Sequence, residues 1–182
     1  ENGPTVYSKI LDKYKKGKHL FFEGHFDLPS DSLLNDSLAS HNALIVSLYY
    51  TRSFGNNFDI PPGVIELLDN IEFDGPVLLN NFGYPYALDV MGDLDAYDAI
   101  IVSYTNDSMN QKNAAHATFG GISIKGRLPV STNDFPVGSG YSTGQPTRLK
   151  YTFPENVGMN NDTLKRIDEI VRQAILNKAM PG

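Results

Sequence analysis

Cysteine is absent from this chain, which excludes disulfides, thiol catalysis, iron–sulfur clusters and every zinc site built on sulfur. The compartment stays open, because cysteine-free chains occur on both sides of bacterial membranes. Long apolar runs are missing as well. None approaches the roughly 18 residues that a membrane helix needs, and the polar start Glu1-Asn2-Gly3-Pro4 has the pattern of neither a signal peptide nor a transit peptide. Positive charge is in the minority, 15 Lys plus Arg against 21 Asp plus Glu, for a net charge of −6. That balance disfavours a nucleic-acid backbone as partner.

What is present is ordinary globular material. With 41% hydrophobic residues in 182, the chain has enough length for one sizeable core and part of a second domain. No internal repeat or low-complexity stretch interrupts it. From Pro4 to Lys16 the apolar residues Val6, Ile10, Leu11 and Tyr14 recur at helical spacing, and Lys15-Lys16-Gly17 supplies a basic last turn and a terminating glycine. Ser30-Asp31-Ser32 can cap a short helix carrying Leu33, Leu34 and Leu38.

Three short apolar runs lack alternation: Ala43 to Tyr50, Pro76 to Leu79 and Ala99 to Tyr104. Such runs are expected of strands covered on both faces in a parallel sheet. Helical patterns separate them. Pro61-Pro62 opens one with Val64, Ile65, Leu67, Leu68 and Ile71, and Ala87 to Met91 is a short second, after a turn from Asn80 to Tyr86. After the third run, Ser108-Met109-Asn110-Gln111 fits a capping box that opens an Ala-rich helix stopped by Gly120-Gly121. The pattern predicts an α/β fold: a three-layer, flavodoxin-like sandwich with a mostly parallel sheet and short right-handed crossovers. Gly, Pro, Ser and Thr from 126 to 147 predict irregular chain laid over that domain. Asn160-Asn161 can then cap a last helix with a stripe of Leu164, Ile167, Ile170, Val171, Ala174 and Ile175. No later element follows to cover the stripe, so the sequence reads as a piece of something longer.

Candidate chemistry is sparse. Gly140-Tyr141-Ser142-Thr143-Gly144 matches the G-x-S-x-G nucleophile elbow, which requires a strand directly before the serine and a helix directly after it. Gln145-Pro146-Thr147 breaks any such helix, so a loop is the expectation. His19, His25, His41 and His116 fit no zinc spacing. Asp93, Asp95 and Asp98 lack the glycine and distal glutamate of a calcium loop. In an α/β sandwich a ligand belongs at the carboxyl ends of the strands. Here those loops are Thr51 to Asn57, Asn80 to Tyr84 and Thr105 to Asp107. They offer Asn and aromatic side chains suited to sugars, and no Gly-rich phosphate cradle.

The strand with Asn80-Asn81-Phe82-Gly83-Tyr84-Pro85-Tyr86-Ala87-Leu88, then Tyr97 to Tyr104, then Ala114-Ala115 to Phe119-Gly120-Gly121 and Gly126-Arg127-Leu128-Pro129-Val130-Ser131 resemble the C-terminal α/β sandwich domain of glycoside hydrolase family 3. The helix ending in Phe-Gly and the following Gly-Arg-Leu-Pro-Val carry the resemblance most specifically. It covers residues 1–150. Residues 151–182, with Pro154 to Met159, Leu164 to Asp168 and Met180-Pro181-Gly182, resemble the linker and first helix of a truncated β-lactamase-like domain. No serine here has a lysine three residues later, so the S-x-x-K nucleophile of such domains is not in this stretch.

The resemblance implies an accessory domain of a β-N-acetylhexosaminidase that cleaves N-acetylglucosamine-containing glycans outside the cytoplasm, in the periplasm or at the cell surface. Its implied partners are an N-terminal TIM barrel, the β-lactamase-like domain of the same parent chain, and the parent's glycan. Retaining hydrolysis needs a carboxylate nucleophile and an acid/base group. The family takes the nucleophilic Asp from the barrel. Some members draw a Glu from the sandwich, and no glutamate here matches it, so no catalytic residue, cofactor-binding residue or metal ligand is assigned and no cofactor is expected. The other expectation is a free-standing, flavodoxin-like module that binds a small ligand or glycan.

Overall fold

The computed structural model describes residues 3–22, 30–49, 58 and 60–181. They form two compact units, Glu1–Leu149 and Lys150–Gly182.

In the first unit, α1 (Val6–Tyr14) and α2 (Asp31–Leu38) precede the first strand, β1 (Leu44–Tyr49). Helix α3 (Pro62–Asp69) leads to β2 (Val77–Phe82), two 3₁₀ turns (Pro85–Val90 and Leu94–Ala96) lead to β3 (Ala99–Val102), and α4 (Ser108–Thr118) follows. The strands form one parallel sheet in the order β1-β2-β3. Leu44 pairs with Val77 and Leu78 with Ala99.

The alternation of side chains along each strand divides the apolar residues between two faces. On one face Val46, Leu48, Leu79, Ile100 and Val102 meet Val64, Ile65 and Leu68 of α3 together with Ala87, Leu88 and Leu94 of the 3₁₀ turns. On the other, Ile45, Tyr49 and Phe82 meet Tyr7, Ile10 and Leu11 of α1 and Ala114 and Ala115 of α4. The architecture is therefore the α/β three-layer sandwich that the apolar runs predict. Both crossovers lie on one face, as same-handed connections must when successive strands are laid down in one direction. That leaves the opposite face to α1 and α4, whose ring contacts Tyr7–Phe82 (5.3 Å, edge-on) and Tyr49–Phe82 (4.8 Å, stacked) fill it.

Three local expectations change. Strand β2 continues through Asn80, Asn81 and Phe82, where composition suggested a turn, because both neighbours pair with it there: Asn80 with Ser47 and Ile101, Asn81 with Leu48 and Val102. Both asparagines are wholly buried. The cap of α4 is Asp107 rather than Ser108; its carboxylate accepts from the Met109 and Asn110 amides. Gln111 consequently makes no capping-box bond to the Ser108 amide. Its Oε1 accepts the Tyr7 amide at 3.1 Å and its Nε2 donates to Asn106 at 2.7 Å, which ties α1 to α4.

Residues 121–149 contain no helix or strand, as composition predicts for 126–147, yet they are fixed to the sandwich. Gly120 turns the chain at φ 72°, and its carbonyl accepts from the Thr147 and Arg148 amides. Within the segment Leu128 and Ser139, and Ile124 and Thr143, join by main-chain bonds. The Asn133 amide donates to Asp89 at 2.7 Å, and Phe135 packs against the α3-side core.

In the second unit a 3₁₀ turn, Pro154–Val157, precedes α5 (Asn161–Leu176). Asn160 caps it by accepting the Thr163 amide at 3.0 Å. Its surface carries Lys165–Asp162 and Arg172–Glu169 pairs, both 2.8 Å. Ile167, Ile170 and Ile175 of the apolar stripe are exposed.

Candidate functional site

The carboxyl edge of the sheet gathers the polar and aromatic loops. The first of them, 51–57, lies outside the described residues, as does His25. The strand order does not reverse among the described strands, so no crevice of the topological-switch kind opens between them. The rim itself is the candidate site.

Asn81 organises it. Its main-chain carbonyl accepts the Ser103 amide at 2.8 Å, and its side-chain amide donates to the Tyr84 carbonyl at 3.1 Å. One buried residue thus fastens the loop after β2 to the loop after β3. Beyond Ser103 the chain makes a γ-turn: the Thr105 amide donates to the Ser103 carbonyl at 2.7 Å across Tyr104, whose φ is 63°. A tight turn with positive φ at a residue bearing a large side chain is rare and costs on the order of 1–3 kcal/mol. Tyr104 is 40% exposed. Tyr84 and Tyr86 are also exposed at this end, at 46% and 41%.

Next to the turn stands a saturated carboxylate. Asp107 accepts the Met109 and Asn110 amides at 2.9 and 3.0 Å, the Asn110 side-chain amide at 2.7 Å, and the Thr105 hydroxyl. The Thr105 hydroxyl, followed by the Asn110 donors, pulls its pKa down to about 2. Asp107 is thereby an ionised cap and a poor proton donor. Beneath the rim, the Tyr49 hydroxyl bonds Thr5 at 3.2 Å and the Tyr7 hydroxyl bonds Thr118 at 2.9 Å. Burial raises the pKa of both phenols. The Ser103 hydroxyl donates to Asn80 Oδ1 at 3.0 Å, while Asn80 Nδ2 lies beside the Tyr7 hydroxyl without a hydrogen bond of normal geometry.

The remaining sequence candidates resolve individually. Ser142 lies in irregular chain with neither strand nor helix beside it, and its hydroxyl accepts from Arg127 Nη2 at 3.1 Å. Gly140 of the same motif has φ 143°, and a Cβ there would stand 2.9 Å from the Gly126 carbonyl oxygen. Close backbone approach accounts for that glycine without an elbow. His19 pairs with Asp12 at 2.8 Å, a contact that lowers the Asp12 pKa. His41 is exposed beside Ser40, and His116 is buried against the Tyr14 hydroxyl. Asp93 caps a 3₁₀ turn through the Asp95 amide, and Asp98 accepts the Val77 amide at 2.8 Å at the entry to β2. Among the described residues, no group of three or more His, Asp or Glu side chains is arranged to hold a metal ion. Among the same residues, no helix is long and apolar enough to cross a membrane. The γ-turn at Tyr104 escaped the sequence reading, since Tyr-Thr-Asn carries no glycine to announce positive φ.

No protein-family model, curated protein or solved structure gives a significant match to this chain.

Proposed function

We propose that this chain supplies the C-terminal sandwich domain of a family 3 type β-N-acetylhexosaminidase, an accessory part that walls the substrate cleft and leaves the chemistry to a catalytic barrel of the parent protein. The observation that carries the reading is the ordered run from Asn80 to Ser131: a central strand, the Phe119-Gly120 helix stop and Gly126-Arg127-Leu128-Pro129-Val130, set in an α/β sandwich. The rim supports it. It offers exposed tyrosines and amides, as a glycan wall would, while its nearest carboxylate, Asp107, is committed to capping α4. The second unit belongs in this reading to a β-lactamase-like domain, and the parent acts outside the cytoplasm.

The test is hydrolysis. The isolated chain is expected to leave a chromogenic N-acetylglucosaminide intact, and to raise turnover when added to, or fused with, its cognate barrel. Turnover by the isolated chain that disappears on changing one of its own carboxylates would overturn the reading.

A further inference from the structure

We infer that Tyr84 and Tyr104 form a stacking platform for a neutral saccharide at the carboxyl rim of the sheet. The identity of the ligand rests on the accessory-domain reading; the existence of the platform rests on the geometry of the two loops.

Three observations converge. The first is strain at an accessible aromatic: a γ-turn holds Tyr104 at φ 63°, where glycine or asparagine would sit more comfortably, and leaves 40% of the residue exposed to solvent. A bulky ring kept accessible in an unfavourable backbone conformation points to a role beyond the packing of the fold. The second is preorganisation. Asn81 pairs with Val102, and through its own carbonyl and side-chain amide it anchors both tyrosine-bearing loops. Tyr84 and Tyr104 lie just past the ends of the adjacent strands β2 and β3, so a ligand touching both meets loops already fixed.

The third is charge. Residues 80–91 and 103–111, which make the rim on these two strands, contain neither lysine nor arginine, and Asp107 adds a permanent negative charge beside Thr105. Within these two stretches phosphate or carboxylate ligands would meet Asp107 and no lysine or arginine. A neutral pyranose presents an apolar C–H face to a ring and hydroxyls to the surrounding Thr105, Asn106 and Asn110 side chains.

The experiment uses the whole 182-residue chain, titrated with N,N′-diacetylchitobiose and, separately, with cellobiose while backbone amides are followed by NMR. Saturable shifts are expected at residues 83–86 and 103–107. Tyr84→Ala and Tyr104→Ala should each weaken binding roughly tenfold or more. Tyr104→Asn, which suits the positive φ, should melt at or above the wild-type temperature and still lose the saccharide. A lower melting temperature for that variant would mean that the ring supports the fold and would overturn the proposal. So would the absence of shifts with both sugars, or shifts confined to another surface. Turnover by the isolated chain, in contrast, would remove the accessory-domain reading and leave the platform standing.

Discussion

The Tyr14 hydroxyl lies 2.8 Å from Nδ1 of the wholly buried His116, so the last turn of α1 is joined to the last turn of α4 by one hydrogen bond across the second core face. Tyr14 also stacks on Phe119 at 5.1 Å. Tyr14→Phe keeps that stacking and removes the bond to the ring nitrogen. The expected loss is about 1–3 kcal/mol, the cost of taking a partner from a buried polar atom. Urea denaturation measures it, and a loss below about 0.5 kcal/mol would show that the hydroxyl is not the anchor of this helix pair.

Asp107 gives the fold an acid sensitivity whose sign can be worked out. Its folded pKa, about 2, lies below the ordinary value of 3.8, so the folded state favours the carboxylate. The stabilisation is complete above pH 4 and is lost as the pH falls from about 4 towards 2. Asp107→Asn should lower the melting temperature at pH 7 and reduce the slope of stability against pH in that window. An unchanged acid profile would contradict the four hydrogen bonds drawn to this side chain.

Asn80 is buried in the central strand with its amide nitrogen outside any well-formed hydrogen bond, while its oxygen takes the Ser103 hydroxyl. Removing both polar partners together should cost little, because neither leaves the other stranded. The double variant Asn80→Leu with Ser103→Ala is expected to melt within a few degrees of wild type or above it. Ser103→Ala alone should destabilise by about 1–3 kcal/mol, since it strands the asparagine oxygen. Thermal denaturation of the three proteins separates these outcomes.

Gly140 and Ser142 share a motif and should behave oppositely. Gly140→Ala puts a Cβ against the Gly126 carbonyl at a φ of 143°, and a loss of about 1–3 kcal/mol is expected. Ser142→Ala removes an acceptor for Arg127 on the surface and should stay within about 0.5 kcal/mol of wild type. A fluorophosphonate probe should leave Ser142 unlabelled; labelling would restore the nucleophile reading.

The elements written in regular patterns were legible from sequence: the helix opened by Pro61-Pro62 and the Asn160 cap lie where composition and spacing put them, and each of the three apolar runs forms a strand, although β2 runs on to Phe82 and β3 stops at Val102, short of Tyr104. The misread positions are those where tertiary pairing overrides local preference. Asn80-Asn81 looks like a turn until a strand on each side supplies partners for the backbone. Asp107 outcompetes Ser108 as cap because its carboxylate can take two amides at once. At the rim, the aromatic and amide character could be read from sequence, but the strained turn at Tyr104 and the double anchoring by Asn81 exist only once β2 and β3 lie side by side.

The strand order also fixes how the first unit comes together and apart. Neighbouring strands in the sheet are successive strands in the chain, each pair joined by a single crossover, so the sheet can assemble from nearby sequence. Helix α1 has no such neighbour: its bond from the Tyr7 amide to Gln111 spans 104 residues. The contacts of α1 with Tyr49 and Phe82 repay part of that closure, and the bond to Gln111 is gained only once α4 is in place. The amino-terminal helix is therefore expected to dock late and to open early, and its amides should exchange with solvent faster than those of β2 under native conditions.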